Sequence, residues 1–177
     1  MMGAFIIPVL MTLLVLALIP KGNAIYVDMD GTLYKWNTNA TVEDTHKPGF
    51  FENSTPDRKT VAATKLLVFL GFDVRILSAA YDETAIEEKK RALKKCGLSN
   101  IPAVFVKYGD RKGDYVDEKG SVLLDDYTKN LREWGGTPIK YYNGVNGTRG
   151  TYCGASVSYE MSPVKIAATI AKIANKT

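Results

Sequence analysis

At 177 residues, 46% of them hydrophobic and 24% charged, the chain is long enough for one domain with a sizeable core and too apolar to be disordered. Its formal charge of +4 is spread over many lysines and arginines, with no basic stripe interleaved with aromatics, so small anions suit it and a nucleic-acid polymer does not. Cys96 and Cys153 stand far apart, no CxxC occurs and His46 is the single histidine, which argues against a structural zinc site and a thiol–histidine nucleophile.

Residues 4–19 form an uncharged apolar run between Gly3 and Pro20. The run has the length of a signal-peptide core and is short for a bilayer span, and no Lys or Arg precedes it. Residues 1–24 are therefore read as a leader, with three alternatives open: a signal, an anchor or a spurious start. Residues 25–177 are read as one domain. Two free thiols favour a reducing, cytoplasmic compartment. A native leader would mean anchoring or export, and any membrane contact would run through residues 4–19.

Residues 24–27 read as a short buried strand that stops at Asp28-Met29-Asp30-Gly31-Thr32. From Leu33 to Pro56 no period emerges, as expected of an ordered loop or small cap at about 34–56. Thr55 and Pro56 predict a helix start, with Thr55 as N-cap and Pro56 at the first helical position. This helix runs to about Leu70 with Val61, Ala62, Leu66, Phe69 and Leu70 inward, and Gly71 ends it. Residues 72–77 are a second strand ending at Ser78. Residues 83–96 are an amphipathic helix closed by Gly97, whose Glu87, Glu88, Lys89, Lys90 and Arg91 read as a solvated face. Residues 103–106 and 121–124 are two further strands, the latter ending at Asp125-Asp126. A short helix over about 129–134, a strand over 139–142 and a final helix capped by Ser162-Pro163 complete the chain. Its predicted inner face carries Val164, Ile166, Ala167, Ile170 and Ile173. Strands alternating with helices predict a parallel sheet covered on both faces, with ligands beyond the strands' carboxyl ends. Asp28, Ser78 and Asp125 all fall at such ends.

Two carboxylates spaced as Asp28-x-Asp30 face each other across a turn that Gly31 permits. Their repulsion favours a bound divalent cation or a raised pKa on one of them. With Mg²⁺ present, one carboxylate can attack phosphorus and the other can shuttle a proton to the leaving oxygen. Asp125-Asp126 suits an oxygen-only Mg²⁺ shell. Ser78 and nearby backbone N–H groups could hold phosphate oxygens. A lysine from the run between Lys107 and Asp114 could neutralise charge in the transition state.

The segment Ile25 to Leu33 resembles the first signature of the haloacid dehalogenase-like (HAD) superfamily, Ser78 its second, Lys112 its third and Leu123-Leu124-Asp125-Asp126 its fourth. Within that superfamily, Asp28-Met29-Asp30-Gly31, Pro48-Gly49-Phe50-Phe51 and Leu123 to Tyr127 are most similar to the 5′(3′)-deoxyribonucleotidases. The resemblance implies a Rossmann-like, three-layer α/β fold with a parallel sheet and a small cap inserted after strand one. It also implies Mg²⁺-dependent hydrolysis of a phosphomonoester, a nucleoside monophosphate, through an aspartyl-phosphate. Asp28 would be the nucleophile and a metal ligand. Asp30 would protonate the leaving group, activate water and lend its backbone carbonyl to the metal. Asp125 and Asp126 would hold Mg²⁺, and Ser78 and Lys112 would bind phosphate. Phe50 or Phe51 could stack on a base, although packing within the cap is the simpler role for each ring. A phosphatase for another small phosphometabolite and a non-catalytic metal- and phosphate-binding domain are the alternatives. The pattern does not explain the loop from Asn143 to Gly154.

Overall fold

A computed structural model describes residues 23–41, 43–146 and 152–177, so the expected leader lies outside the described residues apart from Asn23 and Ala24. Among the described residues, no helix is long and apolar enough to cross a membrane.

Six strands form one sheet: β1 (Ile25–Val27), β2 (Val74–Ala80), β3 (Ala103–Lys107), β4 (Val122–Asp125), β5 (Thr137–Tyr142) and β6 (Ala155–Ser158). Their order is β3-β2-β1-β4-β5-β6, and every neighbouring pair is parallel. Strand β1 and residues 122–124 of β4 are apolar because both faces are covered. Ile25 and Val27 join Ile76, Leu124 and Ile139 in the larger core, whereas Tyr26, Leu77 and Leu123 face a second core with Leu131 and Trp134. Helices α1 (Arg58–Phe69), α2 (Glu83–Lys95) and α4 (Pro163–Ala174) supply residues to the first core, and the short α3 (Thr128–Glu133) supplies Leu131 to the second. This is the Rossmann-like α/β architecture expected from the alternation of elements.

Several local expectations are corrected. The α1 N-cap is Asp57, not Thr55: one Asp57 oxygen accepts from the backbone N–H of Lys59 (2.9 Å) and Thr60 (3.3 Å), and the other accepts from the Tyr141 hydroxyl (2.7 Å). A carboxylate that satisfies two orphan donors and also ties the helix to β5 displaces the hydroxyl two residues earlier. The buried face of α1 is Thr60, Val61, Ala63, Thr64 and Leu67, while Ala62 is exposed and Phe69 is 80% exposed. Reading threonines as polar misplaced that face. The Thr60 hydroxyl donates to the Thr32 carbonyl (2.6 Å), so it can sit inside without an unmet polar group. The inner face of α4 is as expected at Ile166, Ala167 and Ile170, all buried, but Val164 is 39% exposed, and small Ala171 and Ala174 are buried as well.

Strand β2 runs two residues past Ser78, to Ala80. Strand β6, which pairs with β5 from Ile139↔Ala155 to Tyr142↔Ser158, lies in a segment where no strand was expected. Its four residues, Ala-Ser-Val-Ser, carry too little apolar signal to stand out. The segment between β1 and α1 forms the small insertion expected there. It carries a 3₁₀ turn (Glu43–His46), and a Lys35 N–H to Thr55 carbonyl bond (2.8 Å) closes its base.

Candidate active site

The polypeptide leaves β1 at Asp28, whose N–H bonds the Leu124 carbonyl of β4 (2.9 Å). It then turns sharply: the Tyr34 N–H reaches the Met29 carbonyl (2.8 Å), and the Gly31 N–H reaches the Tyr34 carbonyl (2.7 Å). Gly31 is required there twice over. Its φ is +80°, and a Cβ would lie 2.3 Å from Asp126 Oδ2. The turn thus packs the Asp28-x-Asp30 segment against the acidic end of β4.

Asp28, Asp125 and Asp126 each offer an oxygen within 4.8 Å of the others'. Lys112, from a 3₁₀ turn over Lys112–Tyr115, bridges two of them, donating to Asp28 Oδ1 (2.6 Å) and Asp125 Oδ2 (2.7 Å). Asp125 also accepts from Asn130 of α3 (2.9 Å) and from the Tyr127 N–H (2.7 Å). Asp126 Oδ2 accepts from Asn143 (3.0 Å), whose amide also donates to the Gly31 carbonyl (2.7 Å). Asn146 donates to the Asp126 and Tyr141 carbonyls. The start of the loop after β5, which the family pattern left unexplained, therefore binds the first turn to the end of β4.

Burial pushes the Asp28 carboxyl up to about 7, helped by Asp125 and Asp30 and opposed by Lys112. Burial, together with Asp125 and Asp28, also raises Asp126 well above the usual carboxylate range. Lys112 is raised in its turn: desolvation opposes its charge, but the Asp125 and Asp28 carboxylates outweigh that cost. Three carboxylates converging on one point with a single ammonium between two of them are a hard-oxygen donor set. Mg²⁺ fits that chemistry, and thiophilic metals do not.

Asp30 stands apart from this cluster. Its Oδ2 accepts from Lys89 of α2, whose side chain is 1% exposed. The same ammonium donates to Ser78 Oγ (2.9 Å) and to the Ala79 carbonyl, and it lies 4.4 Å from the centroid of the Phe51 ring. The next residue back, Glu88, accepts from the N–H groups of Gly49 and of Phe51 (3.1 Å). The expectation of a solvated face over Glu87 to Arg91 therefore fails at Glu88 and Lys89, 4% and 0% exposed, although Glu87, Lys90 and Arg91 are exposed. A charge-rich run gives no sign of which members turn inward, because that depends on partners distant in sequence.

A cavity of about 420 Å³ opens over the acids, lined by Asp28, Asp30, Lys112, Asp125 and Asp126 and walled by Trp36, Phe51, Tyr81, Tyr108 and Tyr127. The Tyr81 and Tyr108 rings lie 4.1 Å apart at 33°, and His46 lies 4.3 Å beyond Tyr81. A second cleft of about 640 Å³ is lined by Asp30 and by residues of the insertion, Phe50 among them. Phe50 meets Phe51 edge-on at 5.1 Å. The structure thus brings Asp28, Asp30, Lys112, Asp125, Asp126 and Phe51 to one cavity. Ser78 lies just behind it, fully buried against Lys89. Sequence reasoning passed over Trp36, Tyr81, Tyr108 and Tyr127. Tyr81 and Tyr127 each follow a strand's carboxyl end by one or two residues, which is the signal that could have found them.

No protein-family model matches the chain, and no curated protein matches its sequence. Solved structures do match its fold. A protein described as a HAD-like phosphatase, from Mesorhizobium loti, is 13% identical with a TM-score of 0.58, over 88% of each chain. An uncharacterised protein from Listeria monocytogenes serotype 4b is 14% identical with a TM-score of 0.59, over 85% of this chain and 98% of that one. A D,D-heptose 1,7-bisphosphate phosphatase from Burkholderia thailandensis is 11% identical with a TM-score of 0.54, over 82% and 96%. The fold is therefore HAD-like.

Proposed function

We propose that the protein is a Mg²⁺-dependent phosphomonoester hydrolase that works through an aspartyl-phosphate on Asp28. The observation that carries this reading is the convergence of Asp28, Asp125 and Asp126 within 4.8 Å, with Lys112 bonded to the first two, at the carboxyl edge of a parallel sheet. Asp28, Asp125 and Asp126 would hold Mg²⁺, with the Asp30 backbone carbonyl as a further oxygen. When bound, the ion supplies positive charge to the phosphoryl oxygens. Asp28 attacks phosphorus. Lys112 draws off charge that spreads over the phosphoryl oxygens, whereas Ser78, expected to bind phosphate, is fully buried, accepts from Lys89 and does not line the cavity. Asp30 gives a proton to the leaving oxygen and takes one from the water that later opens the aspartyl-phosphate, so the carboxyl returns to its starting state.

The aromatic walls favour a nucleoside monophosphate over a sugar phosphate. Trp36, Tyr81, Tyr108 and Tyr127 offer flat apolar faces beside the acids, and a base stacked on one such ring gains about 1–3 kcal/mol. Phe51 is less available to a base, being 6% exposed with its ring over Lys89. Phosphate release from a panel of nucleoside monophosphates and sugar phosphates, with and without Mg²⁺, tests the proposal. Metal-dependent turnover with nucleotides foremost is expected, along with its loss in a folded Asp28→Asn variant. Turnover by that variant, or activity indifferent to Mg²⁺, would overturn it. A preference for sugar phosphates would remove the nucleotide and keep the hydrolase.

A further inference from the structure

We infer that Lys89 is a positioning residue for Asp30, fixing one carboxyl oxygen so that the other is presented to the leaving group and to water. This rests on the hydrolase reading above. An ammonium with no solvent contact is costly unless its three donors are met. Those of Lys89 are met by Asp30 Oδ2, Ser78 Oγ and the Ala79 carbonyl, and the Phe51 ring covers the same group. Two of these partners belong to β2, so Lys89 is anchored to the sheet and not merely to a mobile carboxylate. Among the described residues it is the one cation paired with Asp30. Asp30 has a side chain 28% exposed and needs such a restraint, because an unrestrained carboxylate at the cavity wall would rotate freely between water and substrate. Lys89 itself is absent from the cavity lining, so it acts through Asp30 and not on substrate.

The test exploits the different demands of two leaving groups. A p-nitrophenolate leaves without a proton, whereas an alkoxide needs one. The parameter kcat/KM reports events up to departure of the leaving group, and kcat alone includes the later opening of the aspartyl-phosphate. Lys89→Met keeps the length of the side chain and removes its charge. It is expected to lower kcat/KM for an alkyl phosphate at least about tenfold more than for p-nitrophenyl phosphate, as Asp30→Asn should. The double variant Lys89→Met/Asp30→Asn should lose little more than Asp30→Asn alone. Equal losses on the two substrates, or additive losses in the double variant, would overturn the role and leave the hydrolase standing. Absence of phosphatase activity in the unmodified protein would remove both. Lys89→Gln, which keeps a donor for Ala79, is the second variant should the first not fold. If neither folds, Lys89 is structural and the inference falls.

Discussion

Gly31 is the residue on which the geometry of the site turns. An alanine there would take on a left-handed strain of about 1–2 kcal/mol, and its Cβ would meet the Asp126 carboxylate. Gly31→Ala should therefore lower stability by more than the strain alone and weaken the response to Mg²⁺. Urea denaturation and a Mg²⁺ titration of activity measure the two effects, and an unchanged titration would mean that Asp126 can step aside without cost. Lysines divide by position in the same way. Lys112 is buried between two acids, whereas Lys119 is exposed and precedes β4, at the far end of the strand from Asp125. Lys112→Ala should cost more than about tenfold in turnover, or roughly 1.4 kcal/mol, and Lys119→Ala very little. Lys107 closes β3 and is exposed, so its alanine variant should also be mild.

Helix α2 carries two inward charges side by side, and they do different work. Glu88 holds the N–H groups of Gly49 and Phe51, while Lys89 holds Asp30. Glu88→Ala leaves those two donors without their acceptor, a cost of about 1–3 kcal/mol for each that stays dry. The effect should fall on the insertion: faster proteolysis within residues 35–57 and a raised KM, with the sheet intact by circular dichroism. Equal protease resistance would show that Phe50 and Phe51 anchor the segment without Glu88. This helix also marks where the sequence stopped being legible. Its span, its end at Gly97 and its amphipathic character followed from local pattern, as did strands β1 to β5, the Asp28 turn and the Asp125-Asp126 end. Contacts between segments did not follow. Nothing near Lys89 announces a carboxylate 59 residues away, and nothing near Asn143 announces Gly31 or Asp126. Strand β6 was missed because four small and polar residues become a strand only once β5 offers an edge.

At the scale of the whole molecule, the acidic cluster links stability, pH and metal. Asp28, held at about 7 against an ordinary 3.8, keeps a proton in the folded state that the unfolded chain has already released. Between those two values the folded state binds more protons, so its contribution to stability is present below about pH 4 and is lost as pH rises through about 7. On the proposed function Mg²⁺ would take the ionised carboxylates, and protons would compete with it. The Mg²⁺-induced rise in Tm should accordingly be larger at about pH 8 than at about pH 6. A rise that shrinks with pH would mean that the ion binds elsewhere. The two tryptophans add a separate consequence. Trp36 lines the cavity and is 40% exposed, whereas Trp134 is 6% exposed with its ring 5.5 Å from that of Tyr26. The chain thus carries an indole lamp at the mouth of its site and a shuttered one in its interior. Dissolved iodide should dim the first and spare the second, and an aromatic guest in the cavity should shield Trp36 from it, so that occupancy can be read by light without any label.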